Sequence, residues 1–83
     1  MLTREQLTTW LEAHGYTRSP RRPNAYIKTA ADVNGKPETY RYYFGKRTLR
    51  REVRLASRWL RLRSGYYAAL GFDEAGKLTG MTH

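Results

Sequence analysis

Between Arg41 and Arg63 the chain carries nine basic residues, Arg41, Lys46, Arg47, Arg50, Arg51, Arg54, Arg58, Arg61 and Arg63, against a single acid, Glu52. Tyr42, Tyr43, Phe44 and Trp59 are threaded among them. Guanidinium forks match pairs of phosphate oxygens, and aromatic rings offer planes to bases or sugars, so these residue types together suit contact with a nucleic acid. The segment sums to +8, while residues 1–40 sum to +2 and residues 64–83 to −1, giving the net charge of +9. Charge concentrated in this way implies an anionic partner. Nucleic acid is the first expectation. An acidic protein surface or a nucleoprotein complex, met by a phage or mobile-element modulator, is an alternative that uses the same positive face.

Other chemistries find little support. With no cysteine there is no thiolate, no disulfide and no cysteine-ligated zinc. His14 and His83 are far apart, and the carboxylates are scattered without metal-ligand spacing. Gly65, Gly71, Gly76 and Gly80 sit at turn spacing and form no phosphate-cradling loop. No catalytic residue, metal or cofactor is assigned. His14 reads as a packing or capping residue at a helix end, and His83 is the last residue.

The elements that must position the basic segment are legible in part. Thr3 and Gln6 form a capping box, with Leu2 and Leu7 at the positions of a hydrophobic staple. Leu7, Trp10, Leu11 and His14 share one helical stripe, and Gly15 ends the helix, so residues 3–14 are predicted helical and amphipathic. Residues 17–24 contain two prolines and are predicted to be an irregular basic loop carrying Arg18, Arg21 and Arg22. From Ala25 the period becomes two. Asn34-Gly35, Gly45-Lys46 and Ala56-Ser57 are read as two-residue turns joining strands through residue 63. Leu49, Val53, Ala56 and Leu60 also fit a helix, but the alternation of Trp59 to Arg63 favours strands. Within residues 64–81, Gly65 to Leu70 is read as either a helical turn or a loop with Tyr66 and Tyr67 docked on the body, and Phe72 to Met81 as a small hairpin whose Gly76 is left-handed. The expected architecture is α+β: a single domain over residues 1–83, with one N-terminal helix on one face of an antiparallel meander of about four strands and a C-terminal hairpin.

Those turns imply a register. Ile27 is expected opposite Tyr42, Lys28 opposite Arg41, and Tyr26 opposite Tyr43. Tyr42 is then opposite Leu49, Arg41 opposite Arg50, and Tyr43 opposite Thr48. Across the last turn Val53 meets Leu60, Arg54 meets Trp59, Glu52 meets Arg61, and Arg50 meets Arg63. One face collects Ile27, Tyr42, Leu49, Val53, Leu55, Leu60 and Leu62 for the helix to cover. The other collects a row of Lys28, Arg41, Arg50 and Arg63, flanked by Tyr26 and Tyr43 on one side and by Glu52, Arg61, Arg54 and Trp59 on the other. Like charges opposite one another destabilise a sheet, and a polyanion threaded along the row would relieve them. Arg18, Arg21 and Arg22 would extend the footprint. Arg51 falls on the core face in this scheme, where it must snorkel or find Glu5, Glu12 or Glu38.

Arginine outnumbers lysine twelve to four, which tilts the expectation toward DNA through bidentate phosphate and guanine contacts. No segment approaches the roughly 20 apolar residues of a membrane span, and no broad apolar surface adjoins the basic segment, so a cytoplasmic protein without membrane contact is expected. A second class shares the size, charge and broad architecture: metal-independent mRNA-cleaving toxins of toxin–antitoxin pairs. The opening helix, Gly15-Tyr16 and the hairpin after it resemble the start of the double-stranded-RNA-binding-like toxins of that group. The chain lacks a histidine on the first hairpin and ends in turns, so no family is assigned on this likeness.

Overall fold

The computed structural model describes residues 2–82, and His83 lies outside them. Helix α1 (Arg4–Ala13) precedes five antiparallel strands, β1 (Thr17–Arg18), β2 (Ala25–Ala31), β3 (Pro37–Phe44), β4 (Thr48–Leu55) and β5 (Arg58–Tyr66), arranged in sequence order. A 3-10 turn at Tyr67–Ala69 leads to a separate hairpin of β6 (Gly71–Phe72) and β7 (Leu78–Thr79). The α+β fold is as expected, with one strand added. The loop over residues 17–24 contributes β1, which pairs Thr17 with Ile27 and Arg18 with Tyr26.

Local chemistry bounds α1 at both ends. The Gln6 amide donates to Thr3 Oγ1 at 3.1 Å and the Thr3 amide to Gln6 Oε1 at 2.9 Å, which completes the capping box. Gly15 takes φ +86°, and the Tyr16 and Gly15 amides donate to the carbonyls of Leu11 and Glu12, closing a Schellman turn. Lys28 Nζ then donates to the His14 carbonyl at 2.7 Å, putting a cation where the helix dipole is negative. Leu7 and Leu11 are fully buried in a cluster with Tyr16, Tyr26, Tyr42, Phe44, Leu49 and Leu70.

The turns set a register different from the expected one. Asp32 Oδ1 accepts from the Asn34 and Lys36 amides at 2.8 and 2.9 Å, and of Asn34-Gly35 only the glycine is left-handed, at φ +79°. The loop is one residue longer than a two-residue turn, so Tyr26 pairs with Tyr42, Ile27 with Arg41 and Lys28 with Tyr40. A slip of one exchanges the faces of the whole strand. Ile27 thereby leaves the core side and Tyr26 enters it, meeting the Phe44 ring edge-on at 5.8 Å between centroids. The β6–β7 turn repeats this chemistry: Asp73 Oδ1 accepts from the Ala75 and Lys77 amides, both at 2.9 Å, with Gly76 at φ +77° as expected.

Between β3 and β4 four residues separate the paired Phe44 and Leu49, in place of the expected two. Faces are kept, but Arg41 now meets Glu52, Tyr42 meets Arg51 and Tyr43 meets Arg50. The Ala56-Ser57 turn has the expected length, with Ala56 at φ 56°, and Val53–Leu60, Arg54–Trp59 and Glu52–Arg61 pair as expected. Past Arg61 a bulge inserts Leu62, so Arg63 faces Arg51 and Arg50 faces Ser64. Leu55 and Leu60, expected in the core, lie on the helix-side face but beyond the helix, and Leu60 is 41% exposed. After β7 the chain crosses back over β5, where Ser64 and Thr82 exchange amide–carbonyl bonds of 2.6 and 2.7 Å. A Cβ on Gly65 would stand 2.5 Å from the Gly80 oxygen, so this crossing needs glycine.

Candidate nucleic-acid interface

The face away from α1 presents three cross-strand rows. They run Ala25, Tyr43, Arg50, Ser64; then Ile27, Arg41, Glu52, Arg61; then Thr29, Thr39, Arg54, Trp59. Two segments border this face, the loop before β2 and Thr82 of the C-terminal strap. That loop folds over its edge, with the Ser19 amide donating to the Ala25 carbonyl at 2.8 Å and the Ala25 amide to the Arg22 carbonyl at 2.9 Å.

At the centre is a buried ion pair. Arg41 Nε and Nη2 stand 2.8 and 2.7 Å from the same oxygen, Glu52 Oε1, with Arg41 9% and Glu52 6% exposed. Trp59 reaches across β4 to lie over Arg41, whose guanidinium carbon is 4.2 Å from the indole centroid and 5.4 Å from that of Tyr43. Arg50 stands 4.9 Å from the Tyr43 centroid. These rings brace guanidiniums, where the sequence suggested free planes for bases. Arg41 is accordingly a neutralised anchor, and the charge available to a ligand belongs to its neighbours.

Arg50, Arg54 and Arg61, together with Arg21 and Arg22 of the loop, have no acidic partner among the described residues. They border two clefts on this face. One, of about 250 Å³, lies between Arg21 and Arg22 on one side and Arg54 and Trp59 on the other, with Arg41 and Ile27 among its lining. The second, of about 290 Å³, is lined by Arg50, Arg61, Ser64 and Tyr66. A larger and mostly apolar groove of about 470 Å³ runs along α1 beside Trp10 and Phe72, away from the cations.

The predicted row of Lys28, Arg41, Arg50 and Arg63 does not form. Lys28 is on the helix side, 5.7 Å from the Tyr16 ring centroid as well as bonded to His14. Arg63 is on the helix side because the bulge at Leu62 turns it there. Tyr26 is buried in the core, and Arg18, paired with Tyr26, belongs to the same side. Arg51 reaches the helix side as the alternation required, but stacks on Tyr40 at 5.0 Å and takes no glutamate. Eight of the proposed binding residues, Arg21, Arg22, Arg41, Tyr43, Arg50, Arg54, Trp59 and Arg61, remain together on the open face.

Tyr66 joins the open face without having been expected there. Expected to dock, it is 65% exposed on the open face beside Arg50 and Arg61, while Tyr67 is the one that docks, its hydroxyl donating to the Gly45 carbonyl at 2.6 Å. Its position follows from continuing the alternation Ser64, Tyr66 past a bulge that has no local signature.

Three tyrosines hold their protons more tightly than usual, all packed against the helix-side core. Burial raises Tyr42 and Tyr67, and the hydroxyl of Tyr40 is raised chiefly by donating to Glu38. His14 is the C-cap of α1, with Nδ1 2.7 Å from the Trp10 carbonyl and its ring 4.2 Å from that of Trp10. Among the described residues no cluster of His, Asp or Glu has the makings of a metal site, and no helix is long and apolar enough to cross a membrane. The open face thus presents guanidiniums without acidic partners among the described residues, set around two clefts. No protein-family model matches this chain, and no curated protein or solved structure does.

Proposed function

We propose that this protein binds nucleic acid through the open face of its sheet, with Arg21, Arg22, Arg50, Arg54 and Arg61 on phosphates and Tyr66 presenting an exposed ring to a base or sugar. The observation that supports this most directly is the set of five guanidiniums without acidic partners, arranged around an Arg41–Glu52 pair that fixes the centre of the face. A solvated basic surface needs no such centre. Here a buried pair roofed by Trp59 holds the sheet face in one shape, which lowers the ordering cost of binding. The preference for arginine keeps DNA slightly ahead of RNA.

The test is a mobility-shift panel of duplex DNA, single-stranded DNA and RNA at several salt concentrations. Five phosphate contacts on duplex DNA predict a log–log salt slope of about −4 to −5, from roughly −0.9 per phosphate. Arg54→Ala with Arg61→Ala should flatten that slope by about 2, and Lys28→Ala, on the other side of the sheet, should leave it unchanged. A slope near zero for the parent protein, or equal losses from Lys28→Ala and the arginine pair, removes the proposal. Co-purification with an acidic protein that survives nuclease treatment, without affinity for bare nucleic acid, replaces it with a protein partner.

A further inference from the structure

We propose that Arg51, Arg63 and the Tyr42 hydroxyl, on the helix side of the sheet, form a site for a small free oxyanion of the phosphate type. The bulge at Leu62 sets Arg63 directly opposite Arg51 on the neighbouring strand. Like charges in that relation destabilise a sheet unless something lies between them. No carboxylate among the described residues does: Glu38, the acid on the nearest strand, accepts from Tyr40, and the one ion pair among the described residues is on the other face. The Arg51 guanidinium lies on the Tyr40 ring, and its Nε is fully buried without a hydrogen-bond partner. A buried donor on a charged group is costly without an acceptor, and Arg51 Nε is such a donor.

The space for that acceptor exists. A cavity of about 70 Å³ is lined by Tyr42, Arg51, Arg63, Leu78 and Met81. Burial raises the Tyr42 hydroxyl, and the positive charge of Arg51 and Arg63 opposes the rise. Two guanidiniums and one hydroxyl supply donors and no acceptor, the complement of an oxyanion, and guanidinium forks hold such ions in pairs of bonds. A cavity of this size admits a small free ion. Leu78 and Met81 come from the C-terminal hairpin and the strap that follows it, so an ion held here also ties that hairpin to β4 and β5. This site is independent of the open face and of what that face binds.

The experiment is thermal unfolding of the whole chain with increasing inorganic phosphate, ionic strength being held constant with sodium chloride. A ligand that binds only the folded state raises the midpoint, and tenfold excess over Kd gives on the order of 5–10 °C for a domain of this size. Arg51→Met and Arg63→Ala should each abolish the rise, and Arg54→Ala, on the opposite face, should keep it. Arg51→Met without phosphate should melt at or above the parent midpoint, because it removes a buried nitrogen that has no hydrogen-bond partner. Arg63 is exposed, so Arg63→Ala decides the matter if Arg51→Met fails to fold. A parent midpoint indifferent to phosphate, or a rise that survives Arg63→Ala, overturns the site.

Discussion

Glu52→Gln isolates the charge of the buried pair while keeping the size and the oxygen that Arg41 contacts. Both Arg41 contacts, at 2.8 and 2.7 Å, go to one carboxylate oxygen, so a glutamine oxygen can take the same place without the charge. Removing one member of a buried pair costs about 3–5 kcal/mol when the other is left unpaired. The retained neutral hydrogen bond and the residual exposure of 11% and 8% for the two side chains reduce that to about 2–3 kcal/mol. The whole stability of a chain this long is about 4–12 kcal/mol, so the loss is a large share of it. The midpoint should fall by roughly 8–24 °C. Urea unfolding followed by the fluorescence of Trp10 and Trp59 measures it. Replacing both partners with apolar residues, Arg41→Met with Glu52→Leu, should recover most of the loss, since neither charge is then stranded. The folded Glu52→Gln protein should also bind nucleic acid more tightly, having lost the one acid of the open face, so stability and affinity move in opposite directions. A loss below about 0.5 kcal/mol would show the pair to be screened like a surface bridge and would refute its role as anchor.

Two further outcomes follow from local geometry. Ala56 holds φ 56°, where an L side chain is unfavourable by about 1 kcal/mol, so Ala56→Gly should raise the midpoint by roughly 4–8 °C; an unchanged or lower midpoint shows the turn to be unstrained. Tyr42 and Tyr67 titrate above their unfolded value of about 10, so their contribution is fully present below that pH and is lost as pH rises through the folded values. Unfolding free energies measured from pH 9 to 12 should decline above about 10, less so in Tyr67→Phe, and a flat profile refutes burial as the cause.

The helix was legible because its instructions are local: Thr3, Gln6 and Gly15 act within one turn of themselves. The first hairpin misled because Asn34-Gly35 is a strong signal for a two-residue turn, while Asp32, whose carboxylate collects two amides, governs the loop. The same Asp-x-x-Gly-Lys pattern spans Asp73 to Lys77, and a longer turn at Asp32 to Lys36 as well puts Lys28 and Tyr26 on the helix side. Arg63 could not have been placed, since nothing in Arg61-Leu62-Arg63 announces a bulge. Charge pairing decided the centre of the site: Arg41 meets Glu52 rather than Arg50, and a repulsive row becomes an anchored one. Membership of Arg50, Arg54, Arg61, Tyr43 and Trp59 in one face survived because the β3–β4 register slipped by an even number of residues.

The crossing of the C-terminal segment over β5 also determines how copies of the protein can approach each other. An edge strand is an invitation to another strand, and the Ser64–Thr82 bridge closes one half of this edge. The half before the bulge remains the outer margin of the sheet, and it carries Arg58 and Arg61. A second copy pairing there brings arginine against arginine between molecules of charge +9, so sheet-to-sheet growth is repelled in free solution. A polyanion that neutralises those arginines removes the repulsion. Edge-to-edge pairing at β5 is thus opposed twice, by the Ser64–Thr82 bridge on one half and by arginine charge on the other.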